Sequence, residues 1–416
     1  MNKKTFTMHL MGLVHLPSAK KYLSCAFTQK NLKLAKMLTS LGHEVYFYGA
    51  RSTEEELIEN YIGSDKFHFV ETHTVEDIAK SWGEGNNLHE TGYDFTKMDF
   101  KHDFSGEKKP ATLKFYKNAI EHINKVKKPD DFFLNTMGYY YRPVSDAINL
   151  YLDLESGIGY RGSYEGTKEK PHFRAFESAF IRDFTYGGFH PFADMNGNFY
   201  DRIIGNYFDL DDFEFRDKKD DYYLYIGRMI SRKGIEVAVQ TCNHLGKKLI
   251  IAGQGAKVQP NGHLTSGDFD FAPGTWEYFG FAGVEDRKRL MAGAKAMFVP
   301  TLYQEIFGGT HIEAMLSATP PIVTNFGVFN GTIPDFLNGV VGFRCNTLKD
   351  FCEAALAAEH VDHAFIRKYG ERYSMDRIAL DFQRWFEDLY QLHLSTKGEK
   401  GWSYIPKVLD KNRKVW

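Results

Sequence analysis

Residues 296–315 read AMFVPTLYQEIFGGTHIEAM and predict a buried strand, a loop and the beginning of a helix. The apolar run 296–299 is the strand, and Gly308 and Gly309 open a helix that runs through Ser317. Open α/β sheets bind ligands outside the carboxyl ends of their strands, where helix N-termini present unpaired N–H groups. Glycine lets a ligand approach that backbone, and the positive end of a helix favours phosphate. The stretch therefore predicts an α/β fold with a phosphate-binding turn.

Two glutamates flank this turn. Glu305 precedes the predicted helix, and Glu313 lies about one turn inside it, so both carboxylates can flank one ligand. Carboxylates form strong charge-assisted hydrogen bonds to vicinal hydroxyls, which a ribose and a hexose both offer. The pair favours a sugar nucleotide over a bare phosphate; the alternative is two solvated glutamates around a tight turn.

The loop GRMISRKG, residues 227–234, is a second candidate for phosphate binding. It follows a predicted strand at 222–226, so Arg228 and Lys233 can converge on one point beyond the end of that strand. Arginine binds phosphate with two parallel hydrogen bonds and lysine adds a point charge. Ordinary surface cations are the alternative interpretation.

Both halves of the chain are predicted to be doubly wound α/β domains. The first half begins with a strand at 7–14, a helix at 28–41 and a strand at 44–48, an order typical of a parallel sheet. The acidic, turn-rich stretch 206–221 places the junction, which gives domains 1–208 and 209–384 with a segment 385–416 that rejoins the first domain. Further strands are predicted at 131–136, 148–154, 248–252, 276–279, 321–324 and 340–343. The stretch 52–128 is predicted to be helices and long loops.

Composition excludes several classes of protein. The chain has 416 residues, of which 43% are hydrophobic and 15% aromatic, enough for two cores and too many for a disordered chain. A net charge of −2 argues against a nucleic-acid partner. The four cysteines show no CxxC pairing, which favours a reducing cytoplasm over a disulfide framework. The chain has no stretch of about 20 apolar residues that could span a membrane. The basic, aromatic tail 402–416 either contacts anionic lipid at a membrane surface or packs back on the first domain.

These motifs resemble the retaining GT-B glycosyltransferases of family 4, the glycosyl transferases group 1, in a bacterial and viral branch. The family's Gly-Arg-x4-Lys-Gly motif stands here between Gly227 and Gly234, and its Glu-x7-Glu motif joins Glu305 to Glu313. The resemblance continues in LIIAGQG, YFGFAG and PPIVTNFG of the second half and in HLPSAKKYLSCAFTQK, LESGIGY, FRAFESAF and IIGNYFD of the first. It implies two Rossmann-like domains that face each other across a cleft.

The resemblance also implies roles for named residues. Glu313 would bind the ribose and Glu305 the transferred sugar, while the base would pack near 279–283, where Phe281 lies. In the first half, His15 stands in the loop that replaces the family's Gly-Gly turn and is a predicted donor ligand. Glu155 stands where the family often has an active-site histidine and is a candidate catalytic residue, which either faces the sugar or is structural. The remaining predicted donor ligands hold the diphosphate and are Gly227, Arg228, Lys233 and the backbone near Phe307, Gly308 and Gly309.

The implied reaction moves a sugar from a nucleotide-diphosphate sugar, such as a UDP- or GDP-sugar, to a hydroxyl of a glycan or another acceptor. Retention of anomeric configuration is expected, without a metal or other cofactor. The alternative is a sugar-nucleotide epimerase of the same fold. The triplet Asp268-Phe-Asp270 matches a metal-binding DxD motif, but such triplets arise easily by chance and no metal site is predicted there.

Overall fold

The structure is a computed structural model. It describes residues 4–22, 25–52, 57–82, 88–90, 92–95, 108–157, 171–189, 199–329 and 338–396. The chain divides into two compact units, unit 1 (Met1–Glu177, Ile181–Ile204 and Ala379–Trp416) and unit 2 (Ser178–Phe180 and Gly205–Ile378). The sequence predicts boundaries at 208/209 and 384/385, and nothing in it indicates that Ser178–Phe180 group with unit 2.

Unit 1 contains a seven-stranded parallel sheet in the order β3-β2-β1-β4-β5-β6-β7. Buried aliphatic and aromatic side chains, mostly from α4 and α5, form one of its hydrophobic cores. The elements in chain order are β1 (Thr7–Met11), α1 (Ala26–Ser40), β2 (Glu44–Gly49), α2 (Ile58–Ile62), β3 (Phe67–Glu71), α3 (Val75–Trp82), α4 (Pro110–Val126), β4 (Phe132–Asn135), α5 (Arg142–Ile148), β5 (Leu152–Ser156), β6 (Phe173–Phe176), α6 (Ala179–Phe189) and β7 (Arg202–Ile203).

Two predictions for unit 1 are wrong in detail. The strand predicted at 148–154 is the end of α5 followed by β5, because Asn149 caps the helix in the left-handed conformation at φ 49° and β5 begins only at Leu152. The stretch 52–128 also contains β3, at an edge of the sheet. Only Phe67 of that strand is buried, so its sequence lacks a continuous apolar run.

Unit 2 contains a six-stranded parallel sheet in the order β13-β9-β8-β14-β15-β16 and a separate three-stranded sheet β10-β11-β12. The last strand of the large sheet lies at Phe343–Cys345, not at the predicted 340–343. The elements are β8 (Tyr223–Ile226), α7 (Ile235–Leu245), β9 (Leu249–Ala252), β10 (Lys257–Val258), β11 (Leu264–Thr265), β12 (Asp270–Phe271), β13 (Trp276–Gly280), α8 (Val284–Gly293), β14 (Met297–Val299), α9 (Gly309–Leu316), β15 (Pro321–Thr324), β16 (Phe343–Cys345), α10 (Leu348–Ala357), α11 (His363–Gly370) and α12 (Met375–Thr396), which continues into unit 1.

The first six strands of the larger sheet follow the same order as the six strands of the other, which confirms the prediction of two Rossmann-like doubly wound α/β domains. In each sheet the first strand along the chain lies between the second and the fourth. Ligands of such sheets bind where the strand order reverses, between the first strand and the fourth. In unit 2 this switch point lies between β8 and β14, which pair through Met297 with Leu224 and Phe298 with Tyr225. The loops that leave these strands are 227–234 and 300–308.

Among the described residues, no helix combines the length and the apolar character that crossing a membrane requires. The tail 402–416, for which membrane contact is predicted, lies outside the described residues.

Candidate functional site

The two loops at the switch point of unit 2 lie directly against each other. The Leu302 N–H donates a hydrogen bond to the Arg232 carbonyl over 2.9 Å. Gly234 adopts φ +74°, and a Cβ placed on it would lie 1.8 Å from the carbonyl oxygen of Pro300. Glycine is therefore required at this position for two reasons, the left-handed backbone and the absence of space for a side chain. The loops after β8 and β14 thus form one continuous surface.

Lys233 and Glu305 form an ion pair across these loops. The Lys233 Nζ lies 2.8 Å from the Glu305 Oε2, with side chains that are 22% and 16% exposed. The Tyr303 ring lies 4.9 Å from the same Nζ. The predicted ligand of the diphosphate and the predicted ligand of the sugar therefore contact each other in this structure. An ammonium has three donors, so Lys233 retains capacity for a further acceptor.

Glu313 forms the second ion pair of the site, with Arg287. The nearly buried Glu313 carboxylate on α9 accepts a hydrogen bond from the Arg287 guanidinium on α8. Sequence reasoning missed Arg287. The general rule that a nearly buried carboxylate needs a cation indicates that some partner exists, but the sequence does not reveal which one. Each predicted carboxylate of the site is thus paired with one cation.

The turn before α9 requires glycine at Gly308. Gly308 precedes the helix at φ +73°, and a Cβ on it would lie 2.8 Å from the Phe329 ring. No acidic residue occupies the first turn of α9. The Phe307 side chain is buried in a hydrophobic cluster with Phe208, so only its main chain can serve a ligand. Gly309 begins the helix, as the sequence predicts.

Ser178 stabilises the loop that carries Glu305. Its hydroxyl donates a hydrogen bond to the Ile306 carbonyl over 2.6 Å, and its side chain is buried. Ser178 precedes α6 and groups with unit 2, although its neighbours Glu177 and Ile181 belong to unit 1. A short excursion of the first half of the chain therefore completes this part of the candidate site.

His311 has a structural role on α9. Its ring is fully buried, and burial lowers its pKa to about 4. The Nδ1 atom is hydrogen-bonded to the Gly308 carbonyl. A neutral imidazole that contacts the helix start stabilises the turn and brings no charge to a ligand at pH 7.

Arg228 and Phe281 are the exposed members of the site. Arg228 follows β8 by two residues and forms no ion pair with any carboxylate in the described part of the chain. Phe281 follows β13 directly and is 48% exposed. Gly227 immediately precedes Arg228. A Cβ placed on Gly253 would lie 1.8 Å from the Gly227 carbonyl oxygen, so the Gly253-Gln254-Gly255 turn allows these two segments to pack closely. A cation and an aromatic ring thus follow the carboxyl ends of two strands of this sheet.

The two candidate residues of unit 1 are buried. Glu155 lies on β5, where its Oε2 is 3.3 Å from Nε2 of His172, while Nδ1 of the same ring is 3.1 Å from Asp153. Burial lowers the pKa of His172, but the charges and hydrogen bonds of Asp153 and Glu155 outweigh that effect and raise it. His15 is also buried, in the loop after β1. A direct contact of either residue with a substrate stays a prediction.

No group of three or more His, Cys, Asp or Glu side chains in the described ranges could hold a metal ion. The two carboxylates of the DxD triplet have different partners. Asp268 accepts a hydrogen bond from the Ser231 N–H over 3.0 Å, and Asp270 lies 2.6 Å from Nδ1 of His263.

Part of the chain is similar to known glycosyltransferases. Residues 208–366 match the family model of the glycosyl transferases group 1. An uncharacterized glycosyltransferase of Methanocaldococcus jannaschii, MJ1607, is 29% identical over 124 residues, which cover 28% of this chain and 30% of that relative. The chain thus matches less than a third of the length of this curated relative.

Solved structures resemble the chain over nearly its full length. Sucrose-phosphate synthase of Thermosynechococcus elongatus is similar with a TM-score of 0.59 and 16% identity, over 93% of this chain and 99% of that one. Anabaena HepE in complex with UDP and glucose is similar with a TM-score of 0.55 and 10% identity, over 92% and 100%. At these identities the likeness shows the fold, which is the GT-B fold of glycosyltransferases. The candidate site of unit 2 lies within residues 208–366, the part of the chain that matches the glycosyl transferases group 1.

Proposed function

We propose that the whole chain is a glycosyltransferase of the hexosyltransferase type, EC 2.4, that uses a nucleotide-diphosphate sugar as donor. The Lys233–Glu305 pair carries this proposal, because it sets a phosphate ligand and a sugar ligand side by side at the switch point of unit 2. The match of residues 208–366 to the glycosyl transferases group 1 supports it. A UDP- or GDP-sugar is the donor, and the acceptor is a hydroxyl of a glycan or another molecule.

Arg228, Lys233 and the backbone N–H groups before α9 bind the diphosphate of the donor. Departure of the diphosphate develops negative charge, and these positive groups stabilise it where it forms. Lys233 exchanges part of its contact with Glu305 for the phosphate, and the released carboxylate then accepts hydrogen bonds from the sugar hydroxyls. No step of this scheme requires a metal ion.

Glu313 and Phe281 bind the nucleoside. Arg287 orients the Glu313 carboxylate, and a carboxylate has enough acceptor sites to serve Arg287 and the ribose hydroxyls together. The exposed Phe281 ring stacks on the base. Unit 1 supplies the acceptor side, with Glu155 as a candidate catalytic residue and His15 as a candidate donor ligand. The sugar is transferred with retention of anomeric configuration.

The epimerase alternative is not favoured. The family model that residues 208–366 match is one of glycosyl transferases.

A nucleotide screen tests the proposal. UDP-, GDP- and ADP-sugars are each added to the protein, and thermal stabilisation and slow hydrolysis are measured. A ligand at about a hundred times its dissociation constant adds about 2.7 kcal/mol to the free energy of unfolding, which a melting curve resolves. Product analysis without acceptor separates hydrolysis from epimerisation. The proposal is wrong if none of these donors stabilises the protein.

A further inference from the structure

The connection from β9 to β13 contains three short antiparallel strands in place of a helix. We call residues 257–271, which span β10, β11 and β12, the meander. Leu264 of β11 is fully buried in the core of unit 2, and Phe269 and Phe271 pack against the same core. The two phenylalanine rings stack with their centroids 4.3 Å apart. The meander is therefore fixed to the body of the domain.

The turn between β11 and β12 orients Asp268. The Ser266 N–H donates to the Phe269 carbonyl over 3.0 Å, and the Asp268 N–H donates to the Ser266 hydroxyl over 3.0 Å. The Asp268 carboxylate in turn accepts from the Ser231 N–H over 3.0 Å. The Ser231 hydroxyl donates its hydrogen to the Glu236 carboxylate and lies 3.4 Å from the main-chain carbonyl oxygen of Asp268. The meander and the loop 227–234 are thus joined at Ser231.

Ser231 begins the short 3-10 helix that carries Lys233. This helix spans Ser231–Lys233, and the Gly234 N–H closes it by donating to the Ser231 carbonyl over 2.7 Å. The first N–H groups of any helical turn have no partner within it, and an aspartate that accepts from one of them fixes the start of the turn. Lys233 lies at the other end and extends to Glu305 over 2.8 Å.

We infer that Asp268 is a positioning residue for donor binding. It accepts a hydrogen bond from the Ser231 N–H, fixes the start of the 3-10 helix and so positions Lys233, and it does not act by binding a metal ion. The inference rests on the proposed function, because Lys233 binds the donor diphosphate there. Asp270, the other carboxylate of the triplet, pairs with His263 on the meander and has no bond to the loop 227–234 among the described contacts. The triplet therefore has one residue that supports donor binding and one that does not.

Substitutions separate this role from general structure. Asp268→Ala removes the acceptor of the Ser231 N–H, while Asp268→Asn keeps a side-chain oxygen in the same place. A lost helix cap is worth about 1 kcal/mol, so Asp268→Ala should raise the donor Kd by up to about fivefold. In Asp268→Ala the donor KM should rise by a similar factor while kcat stays nearly unchanged. Asp268→Asn should keep the donor Kd and the donor KM near the wild-type values. Asp270→Ala is the matched control and should bind the donor as the wild type does.

Calorimetric titration with UDP and with GDP measures these affinities, and initial rates give KM and kcat for the corresponding sugar donor. Equal affinity of Asp268→Ala and the wild type overturns the inference, as does failure of Asp268→Asn to restore binding. Equal damage by Asp268→Ala and Asp270→Ala, reversed by added Mn²⁺, would make the triplet a metal site and overturn it too. A wild type that binds neither nucleotide overturns the proposed function itself, and this inference with it.

Discussion

Glu305→Gln should tighten the binding of a nucleotide diphosphate while it disables transfer. In the wild type the Glu305 carboxylate lies 2.8 Å from the Lys233 ammonium and competes with phosphate for it. The neutral amide keeps the shape of the side chain but releases the charge of Lys233 and removes a negative group beside the diphosphate. It also provides a weaker acceptor for the hydroxyls of the transferred sugar.

The size of the effect follows from the exposure of the pair. With side chains 22% and 16% exposed, both groups keep access to water, so their coupling is close to that of surface pairs, about 1 kcal/mol. Release of that coupling should lower the Kd of UDP or GDP by about fivefold. A hydrogen bond to a charged group contributes about 1.5–3 kcal/mol, so the transfer rate should fall by about 10- to 150-fold.

Isothermal titration with UDP or GDP, whichever stabilises the wild type, measures the first effect, and single-turnover transfer measures the second. Glu277→Gln is a matched control, because Glu277 forms an exposed ion pair with Lys248 over 2.7 Å at the start of β13, away from the switch point. That variant should change neither value. Weaker nucleotide binding by Glu305→Gln would refute the competition between the carboxylate and the phosphate.

Three further outcomes are expected. Gly234→Ala should lower the free energy of unfolding in urea by at least about 2 kcal/mol, because Gly234 has a positive φ and a Cβ there would clash with Pro300 of the neighbouring loop. Gly267→Ala is the control and should change the free energy of unfolding little, because its Cβ would have open space around it. Arg287→Met leaves the nearly buried Glu313 carboxylate without its cation. It should lower the free energy of unfolding by about 2 kcal/mol and weaken the binding of UDP or GDP. Arg289→Met, on the exposed side of α8, should change neither the free energy of unfolding nor the nucleotide affinity. His311 has a pKa lowered to about 4, so the unfolded chain binds its proton first and stability is lost as pH falls from about 6.5 to 4. Over that range the wild type should lose up to about 3 kcal/mol more than His311→Gln does, as measured by unfolding at each pH.

The sequence predicts the inner strands of the second sheet well because they are continuous buried runs. Residues 223–226, 249–252 and 321–324 are entirely buried in the structure. A parallel sheet that is covered on both faces produces such runs. The edge strand β3 is mostly half-exposed and includes His68 and Glu71, so its composition resembles that of a loop.

The members of the candidate site are predictable, but their pairing is not. Lys233 and Glu305 are separated by 72 positions and Arg287 and Glu313 by 26, and only the sheet order brings each pair together. The motifs identify three of these four residues. Arg287, Lys288 and Arg289 are three consecutive basic residues on α8. Only the fold reveals that Arg287 is the one that contacts the Glu313 carboxylate.

The assignment of Ser178–Phe180 to unit 2 has a consequence for dissecting the protein. A fragment cut at the apparent junction, from Gly205 onward, would contain every motif residue of the candidate donor site. It would lack the Ser178 hydroxyl, which donates a hydrogen bond to the Ile306 carbonyl. The loop with Glu305 would then have a main-chain acceptor without its partner. Donor affinity measured on such a fragment would understate that of the intact chain, and a domain exchange between related enzymes would need to carry this three-residue segment along with the C-terminal half.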